Sequence, residues 1–269
     1  MNDVATAEPK ALDAKAVAAL GTQLAELLKL RTLPIGMKLF RTREDMEAVP
    51  GLRRPTEGKR FSTCQLVTHA RIAGFTLGIT TDNVPEFSNC GGVIGLNEPS
   101  DLYLSGRKME GVWFQNREAS AAHQQQMPRV PAQYAGLVVS PLRSARLDPP
   151  DICLFYGNPA QMILAINGLQ WRNYKRYDFS ITGESACADS WGRALRDRTV
   201  CLSLPCFAER RYGGVADDEM LMAMPPEDLQ RAVDGLIGLS KAGLRYPIMP
   251  YGPQADPAEG MSKSYAGKS

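Results

Sequence analysis

The sequence predicts an α+β fold, a mixed α/β single domain of two interleaved halves in which mixed sheets are flanked by helices. Three observations carry this expectation. The chain has 269 residues, 44% of them apolar, which is enough to bury a sizeable core without a disulfide or metal staple. Short apolar runs alternate with longer stretches of helical period throughout, a mixture that neither an all-helical nor an all-strand protein produces. The second half also repeats the style of the first without repeating its sequence.

The first half opens with an amphipathic helix over 12–30, where Val17, Leu20, Leu24, Leu27 and Leu28 share one face and Pro34 follows its end. A strand is expected over 35–40, with Met37 and Leu39 on one face. The charged, Pro- and Gly-rich stretch 41–60 reads as a connection with room for one helical turn. Ser62-Thr63-Cys64-Gln65 matches a capping box and predicts a helix over 63–73. Residues 75–80 alternate as a strand, 82–88 form a loop, and the glycines of 90–96 allow close backbone approach. A helix over 114–126 ends before Pro128.

In the second half, Gly136-Leu137-Val138-Val139 and Ile152-Cys153-Leu154-Phe155-Tyr156 fit buried strands. Asn158-Pro159-Ala160-Gln161 then opens a helix with Asn as cap, Pro at its first position and Gln three after the cap; Met162, Ile163, Ile166 and Leu169 form its predicted buried face. Strands follow over 177–182, 200–204 and 220–224, with a helix over 186–195 between the first two. A helix with acids in its first turn covers 227–239. Residues 1–10 read as a disordered lead, 11–250 as the globular domain, and 251–269, rich in Gly, Ser, Lys and Pro, as a disordered tail.

A net charge of +2 with no basic block gives no reason to expect nucleic acid. The acidic first residues do not match a signal peptide, and no run approaches the roughly 20 apolar residues of a membrane span. The expectation is a cytoplasmic protein without a membrane partner. In a reducing compartment six cysteines argue against a disulfide framework and leave packing, catalysis or metal binding. Dinucleotide, Walker, zinc-protease and nucleophile-elbow motifs are all missing from the sequence.

Cys64, Cys90 and Cys187 each stand two residues after a serine, Ser62, Ser88 and Ser185, that could cap a helix. Free backbone N–H groups and the positive end of a helix would favour thiolate there. Together with Cys206, which follows Pro205, they make four candidate ligands, the count of a cysteine-ligated iron–sulfur cluster or a structural zinc site. None belongs to a C-x-x-C pair, so four unrelated buried thiols remain the competing reading. Cys153 and Cys201 lie inside apolar runs and read as core.

Two histidines limit acid–base options: His69 could lie near Cys64 on its helix, whereas His123 reads as solvated. Among the arginines, Arg71 and Arg210 are the candidates for a two-pronged clamp on a substrate carboxylate, Arg210 because it follows Cys206 closely. Trp113, Trp171 and Gln161 could instead line the pocket of a non-catalytic binding or sensor protein.

Cys64-Gln65 with Ala70-Arg71, Cys90 with Gly95-Leu96, Pro150-Asp151 leading to Asn158-Pro159-Ala160-Gln161, and Cys187 with the segment from Cys206 to Arg210 together resemble the prokaryotic family catalogued as domain of unknown function 169. The resemblance covers about 20–244. It implies cysteines at these four places and supplies no reaction.

The resulting expectation is a [4Fe–4S] protein ligated by Cys64, Cys90, Cys187 and Cys206, two from each half, with zinc or no metal as alternatives. A redox enzyme or lyase acting on a small organic acid, served by an electron-transfer partner, is the first function. A binding or sensor protein and a metal-free thiol enzyme are the others.

Overall fold

A computed structural model describes residues 12–84 and 89–249. The expected disordered lead and tail, and Ser88, lie outside the described residues. Helix α1 (Ala14–Leu28) starts where the Asp13 side chain accepts the N–H of Ala16 at 2.8 Å, and it buries Val17, Leu24 and Leu28. Strand β1 (Ile35–Phe40) and helix α2 (Arg43–Glu47) follow, then α3 (Thr63–Ala73) with its predicted capping box at Ser62. Strand β2 (Leu77–Thr80), short helices α4 (Cys90–Val93) and α5 (Asp101–Leu104), helix α6 (Arg117–Gln126) and strand β3 (Gly136–Pro141) complete the first half.

The second half runs through β4 (Ile152–Gly157), α7 (Pro159–Gln170), a π-helical turn (Ala188–Gly192) continuing into α8 (Arg193–Asp197), β5 (Cys201–Ser203), α9 (Phe207–Gly213), β6 (Met220–Met224) and α10 (Pro226–Lys241). Helix α9 was not expected from the sequence. The strand predicted over 177–182 does not form; Tyr177 and Phe179 stack their rings, and Thr182 is tied to Asp189 instead of to a neighbouring strand.

All six strands join one sheet in the order β2-β3-β1-β4-β6-β5, and every pairing is antiparallel. The α+β class therefore holds, while the mixed sheets expected from the sequence are replaced by one antiparallel sheet. Continuous apolar runs such as Ile152-Cys153-Leu154-Phe155-Tyr156 report burial on both faces, which helices on both sides supply here, and they carry no information on strand direction.

Read outward from its centre, the sheet gives β1, β3, β2 on one side and β4, β6, β5 on the other. In each half the first strand is central, the third intermediate and the second at the edge. The halves lie side by side in the sheet and interleave above it, where α3 of the first packs on α9 of the second.

Alternation assigns the faces. Met37, Leu39, Ile152, Leu154, Tyr156, Leu221 and Ala223 point to the layer containing α3, α4 and the π-helical turn. Cys153, Phe155, Met222 and Met224 point to the opposite layer of α1, α7 and α10. There α7 and α10 approach backbone to backbone at Gly168 and Gly235; a Cβ on Gly168 would lie 2.6 Å from the Ala232 oxygen. Gly235→Ala, whose Cβ would run into the Gly168 carbonyl, is expected to cost about 1–3 kcal/mol by forcing the helices apart. Denaturant unfolding measures this directly, and unchanged stability would show that the helices can slide.

The Asn158 box forms as predicted: Gln161 N–H donates to Asn158 Oδ1 at 3.0 Å, and Asn158 N–H donates to Gln161 Oε1 at 2.7 Å. Gln161 is also buried against the end of α1, its Nε2 donating to the Leu28 carbonyl at 2.8 Å. Asn158→Ala should cost about 1 kcal/mol through the lost cap. The predicted buried face of α7 is corrected at Ile163, which is 48% exposed, because α10 packs on the side that carries Leu164, Ala165 and Gly168.

Candidate thiol site

Four elements deliver the four cysteines. Cys64 is the second residue of α3, its Sγ 3.0 Å from the Ser62 hydroxyl. Cys90 opens α4, and the preceding Asn89 is fixed by its amide, which donates to Gln124 Oε1 at 2.9 Å. Cys187 leads into the π-helical turn. Its expected capping residue, Ser185, is instead held at φ 65°, in the left-handed region. Cys206 is the cap of α9 and shares a capping box with Glu209, its N–H donating to Glu209 Oε2 at 3.4 Å.

The thiols lie within electrostatic reach of one another above the sheet. Cys187 hydrogen-bonds with Cys90, and the charge of either Cys90 or Cys206 is felt at Cys64, as that of Cys206 is at Cys187. The positions are topologically equivalent. Cys64 and Cys187 stand on the helical segments that lead into the edge strands β2 and β5, while Cys90 and Cys206 stand on those that follow them. Cys153 lies across the sheet among α1, α7 and α10, and the Cys201 thiol on β5 donates to Thr199 O at 3.7 Å beside Arg193 and Asp197, as expected of core cysteines.

Burial dominates the electrostatics. It pushes the Cys206 thiol up to about 12, even though backbone N–H groups of Glu209 and Ala186 bond to its sulfur and pull the other way. Cys64 is raised by burial and by Cys90, and Cys187 by its bond to Cys90 and by burial. The expectation of thiolates at helix starts is thus reversed at Cys64, Cys187 and Cys206, whose thiols are raised because burial and neighbouring thiols outweigh a few local N–H groups. Glu209, buried below the thiols, is lifted to about 7, although Tyr156 donates to its Oε1 at 2.9 Å. Burial likewise raises Glu184, whose carboxylate accepts from Cys206 and from the N–H groups of Ser185 and Phe207. Burial and the neighbouring Cys90 and Cys187 lift the Tyr103 phenol to about 12.

Neither expected arginine faces this cluster as a free cation. Arg71 is enclosed, with both Glu219 carboxylate oxygens at 3.2 Å, its guanidinium 4.2 Å over the Tyr156 ring, and Gly214 O at 3.4 Å. Its guanidinium is thus engaged within the fold by Glu219 and the Tyr156 ring. Arg210 turns away along α9 to donate to Ala216 O at 2.6 Å, with Asp217 nearby. The residue of α9 that reaches the thiols is Glu209.

The remaining candidates also disperse. His69 is exposed between the rings of Phe61 and Phe75, away from a Cys–His pair. His123 is buried rather than solvated. Trp113 meets Phe207 edge to face with ring centroids 5.3 Å apart, Trp171 sits beside Gly238 at the end of α7, and Gln161 is bound to Leu28, so the three do not line one pocket.

Soft thiolate donors suit iron–sulfur clusters and zinc, and the four sulfurs with Glu209 and Glu184 beside them fit such chemistry in type. Among the described residues, no three of His, Cys, Asp and Glu already stand around a single metal position. A shared metal would therefore require the thiols to move closer together.

The fold and site define a three-layer protein in which two topologically equivalent halves each deliver two cysteines to one buried site. The chain belongs to the family of domain of unknown function 169, described as "Uncharacterised ArCR", whose sequence model matches residues 23–235 and so takes in all four cysteines. It is similar to an uncharacterized protein of Methanocaldococcus jannaschii, 24% identical over 220 residues that cover 80% of this chain and 91% of that protein. No solved structure matches the chain. Among the described residues no helix is long and apolar enough to cross a membrane.

Proposed function

We propose that Cys64, Cys90, Cys187 and Cys206 ligate one [4Fe–4S] cluster and that the protein is a cytoplasmic iron–sulfur oxidoreductase or lyase served by an electron-transfer partner. The observation that supports this reading is that Cys64, Cys90, Cys187 and Cys206, two from each half, act on one another electrostatically on one side of the sheet, while Cys153 lies on the other side. The raised thiols of Cys64, Cys187 and Cys206 give up protons only to a strong compensating cation. A bound cluster would supply electron transfer or an open iron for substrate. The chain's own part is to exclude water and to hold a proton on Glu209 Oε2 or Oε1 beside the sulfurs. A small organic acid as substrate would need a cation other than Arg71 or Arg210, both of which are engaged.

Anaerobically purified protein should be brown and hold about four iron and four sulfide per chain. Replacing Cys90 or Cys187 by Ser should remove most of that iron while a far-side control, Cys153→Ser, retains it. Protein that carries zinc, or no metal after anaerobic reconstitution, would sink the cluster reading. The Cys187–Cys90 hydrogen bond favours a second reading, a metal-free thiol enzyme with these two as its reactive pair. In that case mild oxidation should join Cys90 to Cys187, as peptide mass mapping would show.

A further inference from the structure

On the flank of the thiol site, α6 and the extended segment before the π-helical turn enclose a cleft of about 550 Å³, within the size range of small-molecule sites. Phe114 and His123 form an aromatic wall, their ring centroids 5.0 Å apart, while Ala122, Ile181 and Pro128 add apolar surface. Asp189 lines the cleft from the first turn of the π-helix. It is 1% exposed, and its Oδ2 accepts the N–H and hydroxyl of Thr182 at 2.7 and 2.8 Å. Its Oδ1 is buried without any hydrogen-bond partner.

A buried carboxylate oxygen left unpaired is costly, and a ligand donor removes that cost. Among the described residues no Lys or Arg lines the cleft. Arg193, on the adjoining helix, is engaged by Ser180 at 3.1 Å and by Asp197. His123 offers its ring rather than a free nitrogen, because Nε2 meets the Glu184 carbonyl at 3.1 Å and Nδ1 meets the Gln124 amide at 3.1 Å. An anion would face the Asp189 carboxylate, while Arg193, the guanidinium that acts on Asp189, is already engaged. An ammonium group would find a carboxylate and aromatic faces together, the combination that recognises organic cations.

We propose that this cleft binds a small organic ammonium ion with an apolar or aromatic body, its charge held by the Asp189 carboxylate. The assignment stands independently of what the thiols hold, yet it places the ligand beside them. Asp189 is two residues from Cys187, and Glu184 gives its carbonyl to His123 and its carboxylate to Cys206.

Calorimetric titration of the full chain with phenethylammonium chloride tests this, against 3-phenylpropionate and 2-phenylethanol as anionic and neutral counterparts. The ammonium ion should bind saturably and at least tenfold tighter than either counterpart. Asp189→Asn, which keeps an oxygen for Thr182 but removes the charge, should weaken it tenfold or more. Ala122→Phe, on the exposed side of α6, should block the cleft without entering the core, and serves if the Asp189 variant fails to fold. Absence of saturable binding at about 10 mM, well above an ordinary millimolar Kd, would overturn the proposal. So would equal binding of the alcohol, or unchanged affinity in the Ala122 variant. Iron content measured on the same samples reports the thiol centre separately, so either assignment can fail while the other stands.

Discussion

Glu219→Gln is expected to destabilise the protein by about 3–5 kcal/mol, because it leaves the Arg71 guanidinium buried with its charge uncompensated. The side chains of Arg71 and Glu219 are 1% and 4% exposed, and their contact joins α3 to the turn before β6. Arginine cannot relieve the loss by giving up a proton. Its other contacts, the Tyr156 face, Gly214 O and Thr32 Oγ1, are neutral, and its Nε already lacks a partner. Replacing both members, Arg71→Met with Glu219→Leu, should recover most of the stability, since it removes the stranded charge along with the attraction. Urea unfolding of the two single variants and the double variant completes the cycle. A loss under about 1 kcal/mol for Glu219→Gln would mean that water reaches the pair and that it behaves as a surface bridge.

Local rules made the elements legible. Met37 and Leu39 fixed β1 through alternation, the Ser62 and Asn158 boxes fixed the starts of α3 and α7, and β6 was bounded by its own apolar run. Pairing was not legible, because the direction of β4 beside β1 depends on how the chain between them returns and leaves no mark on either strand. The cysteines were legible for a related reason: their positions at element boundaries are local facts, whereas burial of the sites, which decides their protonation, is not. Arg71 looked like a free clamp because its partner is 148 residues away. Glu209 stands three residues after Cys206, which is the spacing of a capping box. The pattern that places an acid among the thiols was therefore present in the sequence and concealed only by the unusual cap residue.

That acid gives the second large effect. Glu209 is held at about 7 in the folded protein against 4.5 for an ordinary glutamate, chiefly by burial, with the thiol of Cys90 adding to the rise. Because the folded state binds this proton more tightly than the unfolded chain, its contribution to stability is fully present below about pH 4.5 and is lost as pH rises toward 7. The gap between the two values corresponds to about 3 kcal/mol. Glu209→Gln removes the titration and keeps an acceptor for the Tyr156 hydroxyl, at the expense of the bond from the Cys206 N–H. In metal-free protein, the unfolding free energy of the wild type should therefore fall relative to that of Glu209→Gln between pH 4.5 and 7.5. Other buried acids with raised values, Glu184, Asp151, Asp189 and Asp228, are common to both proteins and cancel in the difference. Parallel pH profiles would show that Glu209 is ionised throughout and that a cation absent from this arrangement, or water, stabilises its charge. The expected fall of the wild type relative to Glu209→Gln would mean that burial keeps a proton on Glu209 up to near neutral pH, beside thiols that burial likewise holds in the neutral form at Cys64, Cys187 and Cys206.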